Sequence, residues 1–227
     1  MIEKDAVFAV YKPYGMTSHD VIAIIREKLL IKKVGHAGTL DPLAEGVLLV
    51  LTGKRTKESS HFMDTEKEYE ASIVFGEKTE TGDREGRVIE TMTKKDVLHH
   101  VQKRTLKQAC RNFVGNYVQT VPLFSAVKRK GKRLYSFGRS GTPVPELPKR
   151  RVEIKEIRLV SLDENCATIK VVCGKGVYIR QLVEDIGNFL QVPATLDRLV
   201  RTRVGPFLLE KALSLTDLTW ESITKAE

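Results

Sequence analysis

The segment Gly35-His36-Ala37-Gly38-Thr39-Leu40-Asp41-Pro42-Leu43-Ala44-Glu45-Gly46 decides how the rest of this chain is interpreted. It holds three glycines, a histidine and two carboxylates, and it has too few apolar residues to be a buried strand. Glycine is used where the backbone takes a positive φ or where another molecule comes close. We therefore interpret the segment as a shaped loop that a ligand approaches, with Asp41 as its leading candidate for chemistry.

Asp41 allows two interpretations. An aspartate before Pro42 is typical of a helix N-cap with proline at the first helical position, and Gly46 would then end a one-turn helix. The other interpretation is a catalytic carboxylate, held by the extended conformation that a proline imposes on the residue before it. Asp41→Asn separates the two, because asparagine caps a helix about as well as aspartate but lacks the charge that a nucleophile or a base needs.

The composition indicates a globular protein with a polyanionic partner. The 227 residues are 41% hydrophobic and 30% charged, which is enough for an ordinary core. Lys and Arg outnumber Asp and Glu by 38 to 29, so the net charge is +9. That charge is compatible with nucleic acid or with a membrane surface. No apolar run reaches the roughly 18 residues of a membrane-spanning helix, and the three cysteines lack metal-ligand spacing, so we expect a cytoplasmic protein with reduced thiols.

Apolar spacing predicts the main elements around the segment. Strands are expected at Val7–Val10, Val47–Leu51 and Tyr69–Phe75 and over 152–162 and 167–173, and helices after an N-cap at Ser18 and over 54–63, 94–113 and 179–190. The densest basic run is Lys128-Arg129-Lys130-Gly131-Lys132-Arg133. It is either a solvated turn or a phosphate-binding surface.

Ordered motifs along the chain resemble the TruB family of tRNA pseudouridine synthases. The resemblance covers residues 5 to 218. Its blocks are Lys12-Pro13-Tyr14-Gly15-Met16-Thr17-Ser18, residues 35–48, Lys67-Glu68-Tyr69-Glu70, Thr79-Glu80-Thr81-Gly82-Asp83, residues 121–128, Gly176-Val177-Tyr178-Ile179-Arg180 and Arg201-Thr202-Arg203-Val204-Gly205-Pro206-Phe207.

The resemblance implies a fold and a reaction. The fold is α+β, with a mixed, mainly antiparallel sheet flanked by helices and a central RNA-binding cleft. The reaction turns uridine into pseudouridine in the TΨC loop of tRNA, at position 55, after the base is flipped out. The N-glycosidic bond breaks, the uracil turns and C5 joins C1′, with no cofactor and no metal.

The resemblance also implies roles for individual residues. Asp41, Tyr69 and Arg180 match the catalytic positions, where the arginine pairs with the aspartate and the tyrosine stacks on the base. Taken alone, Arg180 would be an ordinary exposed arginine with Glu184 as its partner one turn later. Positions that match substrate-binding or supporting residues are His36, Tyr178, Asp83, Leu199 and Lys12, and we add Lys128, Arg129, Lys130, Lys132 and Arg133 as phosphate contacts.

The chain departs from the family pattern after Trp220, where members usually continue into a small RNA-binding domain of the PUA type. We expect residues 1–227 to be a single catalytic domain without that domain, and a monomer that binds the T-arm stem-loop of tRNA. Two alternatives stay open: an RNA-binding or tRNA-folding protein that uses the same surface, and a pseudouridine synthase for another RNA.

Overall fold

The computed structural model describes residues 5–129, 131–140 and 146–226. Its strands are β1 (Val7–Lys12), β2 (Val34–Ala37), β3 (Ala44–Thr52), β4 (Lys67–Phe75), β5 (Glu77–Thr79), β6 (Val88–Thr91), β7 (Gly115–Thr120), β8 (Lys128–Arg129), β9 (Lys132–Arg133), β10 (Lys149–Asp163), β11 (Cys166–Cys173), β12 (Ala194–Val204) and β13 (Phe207–Leu208). Its α-helices are α1 (Ser18–Leu29), α2 (Ser59–Met63), α3 (Lys94–His100), α4 (Lys103–Asn112), α5 (Leu134–Ser140), α6 (Ile179–Leu190) and α7 (Trp220–Ala226), and 3₁₀ turns span Gly53–Glu58 and Leu209–Lys211.

The chain divides into two compact units. Unit 1 comprises Met1–Glu70, Val172–Lys175 and Leu199–Glu227, and unit 2 comprises Ala71–Val171 and Gly176–Arg198. Strands β4, β11 and β12 contribute residues to both units. The expectation that residues 1–227 form one catalytic domain stays a prediction.

The core of unit 1 is built on β3, which is buried almost throughout. Strand β1 lies antiparallel to it along its whole length, β2 lies antiparallel near its end, and β12 lies parallel at its start, with Leu199 opposite Ala44. Side chains alternate between the two faces of a strand. Leu48 and Val50 therefore pack in a core with α1, whereas Val47 and the alternate residues after it pack in a second core with β13. The predicted doubly buried strand is confirmed.

Helix α1 begins one residue earlier than the expected cap implied. Thr17 is the N-cap: its side chain accepts a hydrogen bond from the amide of Asp20, and the Asp20 carboxylate accepts one from the amide of Thr17. The prediction of Ser18 as the cap is wrong. The Ser18 side chain is 2% exposed and hydrogen-bonds the backbone of Leu40.

Unit 2 contains the strand order β4-β11-β10-β7, with β10 antiparallel to β7. Helix α4 packs against β10 and α6. The single helix expected over 94–113 is divided in two, because buried Val101 turns into the core and Gln102 starts a new helix. The Thr105 hydroxyl bonds backbone groups at the start of the new helix. It accepts from the Gln102 amide and donates to the His100 carbonyl. Helix α6 has the predicted bounds.

The architecture is α+β, with sheet pairings that are mainly antiparallel and include the parallel pair of β12 and β3. The predicted fold class is confirmed. No helix in the described ranges is both long and apolar enough to cross a membrane.

Gly46 is required where β12 meets β3. Its φ is +103°, and a Cβ added there would lie 2.3 Å from the backbone oxygen of Arg201. A left-handed φ costs a substituted residue about 1–3 kcal/mol, and overpacking adds about 1–3 kcal/mol. Because the backbone strain is common to both sites, we expect Gly46→Ala to lower the free energy of unfolding by about 1–3 kcal/mol more than Gly15→Ala. Gly15 is the matched control because its φ is +83° and no atom lies within 4 Å of an added Cβ. Equal losses in urea unfolding would contradict the close approach.

Candidate active site

The Asp41 segment is a turn between two strands. Its first residues, through Ala37, belong to β2, and its last, from Ala44, belong to β3. The amide of Ala44 donates to the Asp41 carbonyl at 3.0 Å, so Asp41 opens a tight turn with Pro42 at the second position. The one-turn helix capped by Asp41 is wrong, because the chain enters β3 directly and Ala44 already pairs with β12.

Buried leucines on either side fix this turn. Leu40 is 3% exposed and Leu43 is 1% exposed, whereas Asp41 between them is half-buried. The Ser18 hydroxyl at the start of α1 accepts from the Leu40 amide at 2.9 Å and donates to the Leu40 carbonyl at 3.2 Å. The carboxylate is therefore held on a backbone that is anchored from both sides.

Lys12, at the end of β1, supports the turn through hydrogen bonds from its side chain to backbone carbonyls. Its side chain is fully buried, and its Nζ donates to the carbonyls of Pro13, Met16 and Pro42. Burial lowers the pKa of Lys12 to about 8, although Glu45 and Asp41 oppose that change. These contacts match the supporting role that the resemblance implies. The ammonium is buried among these carbonyls, and a role of Lys12 in substrate binding stays a prediction.

Tyr69 lies on β4 and is 9% exposed. Burial raises the pKa of its phenol, and the nearby Arg201 cation and a hydrogen bond from Arg201 partly counteract that rise. The negative charge of Asp41 also raises the pKa of Tyr69. Tyr69 is therefore a protonated phenol at neutral pH, within electrostatic reach of the candidate carboxylate.

Arg201 is the residue that sequence reasoning missed. In the sequence it only begins the basic motif block that ends at Phe207. In the structure its side chain is 1% exposed, its Nε donates to the Val47 carbonyl at 2.7 Å and its Nη2 donates to the Gly38 carbonyl at 3.0 Å. The available signal was the strand period: Arg201 is two residues after Leu199 and so shares its buried face.

His36 and Leu199 also lie in unit 1. His36 stands on β2 opposite Val50, and its buried Nδ1 has no hydrogen-bond partner within the described ranges. Burial lowers the pKa of His36, and electrostatic interactions with Arg201 and His19 lower it further, so the imidazole is neutral at pH 7. Leu199 is 6% exposed. Unit 1 thus contains Asp41, Tyr69, His36 and Leu199, and Arg201 holds the Gly38 carbonyl at the start of the turn.

Arg180 is buried in unit 2 at the second residue of α6. Its Nε lies 3.5 Å from the Asp83 carboxylate, and its Nη1 and Nη2 donate to the carbonyls of Thr81 and Phe124. The interpretation of Arg180 as an ordinary exposed arginine is wrong, because Arg180 is 5% exposed. Glu184, one turn later, pairs with Lys78 at 2.7 Å. The structure thus pairs Arg180 with Asp83, and the pairing of Arg180 with Asp41 stays a prediction.

Tyr178 is the N-cap of α6, and a side-chain amide holds its backbone. Gln119 accepts from the Tyr178 amide at 2.9 Å and donates to the Tyr178 carbonyl at 3.1 Å. The Arg150 guanidinium lies 5.5 Å from the centre of the Tyr178 ring, within cation–π range. The ring is half-buried and is held at the same helix end as Arg180.

The basic run forms a small hairpin of β8 and β9 with a turn at Gly131, where φ is +80°. The side chains of Lys128, Arg129, Lys132 and Arg133 are exposed, whereas Lys130 lies outside the described residues. Elsewhere in the described ranges, no group of three or more His, Cys, Asp or Glu side chains is placed to hold a metal ion.

Known proteins resemble this chain in sequence and in structure. Residues 26–179 match the family profile described as TruB family pseudouridylate synthase, N-terminal domain. The tRNA pseudouridine synthase B of Symbiobacterium thermophilum is 43% identical over 95% of this chain and 72% of its own length. The same-named protein of Oceanobacillus iheyensis is 41% identical over 96% of this chain and 71% of its own length.

Solved structures agree with the sequence match. A chain in the crystal structure of a Cbf5-Nop10-Gar1 complex has a TM-score of 0.73 and 30% identity over 97% of this chain. A chain in an H/ACA RNP bound to a substrate RNA containing 2'-deoxyuridine has a TM-score of 0.68 and 28% identity over 93% of this chain. The present chain spans only 58% and 51% of those two chains, respectively.

The Ser18 contact gives a direct test of how the turn is anchored. Ser18→Ala leaves two buried backbone groups of Leu40 without their partner, so we expect it to lower the free energy of unfolding by about 1–3 kcal/mol and to speed hydrogen exchange of the Leu40 amide. Thr17→Ala is the control: losing the cap costs about 0.5–2 kcal/mol, but the Leu40 amide stays protected. Equal exchange at Leu40 in the two variants would contradict the anchoring role.

Proposed function

Because this chain belongs to the TruB family of pseudouridylate synthases, we propose that it isomerises uridine to pseudouridine in tRNA, at position 55 of the TΨC loop. The observation that carries this proposal is the half-buried Asp41 carboxylate, presented on an anchored turn within electrostatic reach of the Tyr69 phenol. The relatives named tRNA pseudouridine synthase B support the substrate class.

Asp41 is the proposed catalyst. In the isomerisation the bond from C1′ to N1 breaks, the uracil turns, C1′ joins C5, the C5 proton leaves and N1 gains a proton. A carboxylate assists either by bonding covalently to the sugar or base, or by acting as a base while it stabilises positive charge on the ribose. Both routes need an ionised group at a fixed place. The tight turn and its buried neighbours provide the fixed place.

Tyr69 is proposed to stack on the extruded uracil. Stacking on an aromatic ring contributes roughly 1–3 kcal/mol per base, which offsets part of the few kcal/mol that base extrusion costs. Its raised pKa keeps the phenol protonated, so the residue can also take part in proton transfer. His36, neutral at pH 7, and apolar Leu199 are proposed to pack around the flipped nucleotide.

Arg180 is proposed to pair with Asp41 and to hold it ionised. In unit 2 its guanidinium is held by Asp83 and by two backbone carbonyls, so its orientation is fixed before a substrate binds. Tyr178, next to it at the start of α6, is proposed to line the same substrate site.

The basic hairpin of β8 and β9 is proposed to contact phosphates of the T-arm. Its four described basic side chains are exposed. We further propose that residues 1–227 act as one catalytic domain and as a monomer. Binding would then depend strongly on salt, since each phosphate contact releases counterions.

Asp41→Asn tests the chemistry directly. We expect tritium release from C5-labelled uridine in a T-arm stem-loop to fall by about 10²–10⁴-fold, while the dissociation constant for the RNA changes little, because the carboxylate is removed and its shape is kept. The measurement is single-turnover tritium release with wild type as reference.

The outcomes separate the alternatives. Equal release by both proteins would exclude Asp41 as the catalyst. Binding without release by wild type would favour an RNA-binding or tRNA-folding protein, and release only from other RNAs would favour a synthase of different specificity.

The hairpin is tested by the salt dependence of binding. We expect Lys128→Ala/Arg129→Ala to flatten the plot of log affinity against log salt by about 1.5, because two phosphate contacts are lost. Lys94→Ala/Lys225→Ala removes the same charge from exposed lysines that already pair with Glu164 and Glu221, and we expect it to change the slope by less than about 0.5. Equal changes for the two variants would mean that only net charge matters.

A further inference from the structure

The start of α6 is held by a side chain from another element of unit 2. Gln119 lies on β7, and its side chain is fully buried. Its Oε1 accepts a hydrogen bond from the Tyr178 amide at 2.9 Å, and its Nε2 donates to the Tyr178 carbonyl at 3.1 Å. The same Nε2 also donates to the Tyr117 hydroxyl. One amide side chain therefore bonds both backbone groups of Tyr178.

Tyr178 occupies the N-cap position of α6 without capping the helix. Its side chain makes no hydrogen bond to the first turn. Ser, Thr, Asp and Asn usually stand at an N-cap, because their side-chain oxygens accept from the free amides of the first turn. A tyrosine forgoes that stabilisation, and the contact with Gln119 holds the helix start instead. The aromatic ring at this position is therefore explained by something other than capping.

The polarity of β7 is the reverse of an ordinary half-buried strand. Val118 is 57% exposed, whereas the next residue, Gln119, is 0% exposed. Antiparallel strands with one solvated face normally place apolar residues inward and polar residues outward. Burying an amide is costly unless its donors and acceptor are bonded, so an apolar residue would fill position 119 with less penalty. What glutamine provides is a donor and an acceptor on one side chain.

The Tyr178 ring depends on its backbone for its place. The Arg180 guanidinium, two residues later, has contacts of its own to a carboxylate and two carbonyls. The Tyr178 ring has the Arg150 guanidinium 5.5 Å from its centre, and within the described ranges its phenol makes no hydrogen bond. The backbone that carries the ring is in turn held by Gln119.

We infer that Gln119 is a positioning residue of the active site, which holds the backbone of Tyr178 and so fixes the place of its ring. The inference rests on the proposed function, in which Tyr178 lines the substrate site. Gln119 acts through Tyr178, since its own side chain is fully buried. Methionine is flexible enough to fill the same space but lacks the paired donor and acceptor, so the helix start would be free to shift.

A double-mutant cycle tests whether Gln119 acts through Tyr178. We expect Gln119→Met to slow single-turnover tritium release at saturating T-arm stem-loop by about 10–100-fold, since a displacement of about 1 Å is sufficient for such a loss, and to change the RNA dissociation constant by less than about 3-fold. In a Tyr178→Ala background the same substitution should slow release by less than about 3-fold, because the ring is already absent. Unchanged release with Gln119→Met alone, or fully multiplicative losses, would overturn the inference.

Asn165→Ala is the matched control for stability. Asn165 also lies in unit 2 and also uses a side-chain amide, whose Nδ2 donates to the Phe75 carbonyl at 2.9 Å. Its loss leaves that carbonyl without the amide donor, so we expect it to lower the urea midpoint as Gln119→Met does. The release rate should stay within about 2-fold of wild type, because Tyr178 is not touched. Equal rate losses in the two variants would assign Gln119 to general stability and overturn the inference.

Hydrogen exchange at the Tyr178 amide provides a measurement without catalysis. That amide should exchange at least about 10-fold faster in Gln119→Met than in Asn165→Ala, because only the first variant removes its acceptor. Equal exchange in the two variants would overturn the contact. If wild type releases no tritium from any RNA, the proposed function fails, and the exchange rate still decides whether Gln119 holds Tyr178.

A shorter amide keeps the test usable if Gln119→Met does not fold. Gln119→Asn retains the amide but is one methylene shorter, so it does not reach both backbone groups of Tyr178. It should slow release by about 10-fold and lose most of that effect in the Tyr178→Ala background. Release at the wild-type rate together with faster exchange at the Tyr178 amide would mean that the contact serves folding alone, and would overturn the inference.

Discussion

The structure of unit 1 depends on the close approach of β12 to β3 at Gly46. A Cβ on that residue would lie 2.3 Å from the Arg201 carbonyl oxygen, so the parallel pairing exists only because the position has no side chain. This contact places Arg201 inside the core, where it bonds the Val47 and Gly38 carbonyls. The turn that carries Asp41 is thus set by the same backbone constraint that closes the sheet.

Anchoring contacts reach that turn from several elements. The Ser18 hydroxyl at the start of α1 holds Leu40, the Lys12 ammonium at the end of β1 holds the Pro42 carbonyl, and Arg201 on β12 holds Gly38. Each donor satisfies a backbone group that would otherwise be costly to bury. The backbone of the turn that carries Asp41 is therefore held in place from three different elements.

Unit 2 also contains a buried arginine, Arg180, whose guanidinium is held by backbone carbonyls. Arg180 is buried near the start of α6, where the helix dipole disfavours a positive charge, and Asp83 with two backbone carbonyls compensates for that cost. In both units an arginine is oriented by carbonyl oxygens before any ligand is present. Preorganised groups of this kind favour catalysis, because they need not reorganise during the reaction.

The sequence by itself determined the doubly buried β3, the bounds of α6, the fold class and the family, because hydrophobic periodicity and ordered motifs are local signals. It also named Asp41, Tyr69 and Arg180 through those motifs. Only the tertiary structure decided that Asp41 opens a turn and not a helix, that Ser18 anchors Leu40 and that Arg201 is buried. An Asp-Pro pair, a serine before a helix and an arginine in a basic run have the same local pattern in either environment. Which environment each one occupies depends on strands and turns that are distant in sequence, such as β3 against β12, and those pairings exist only in the folded chain.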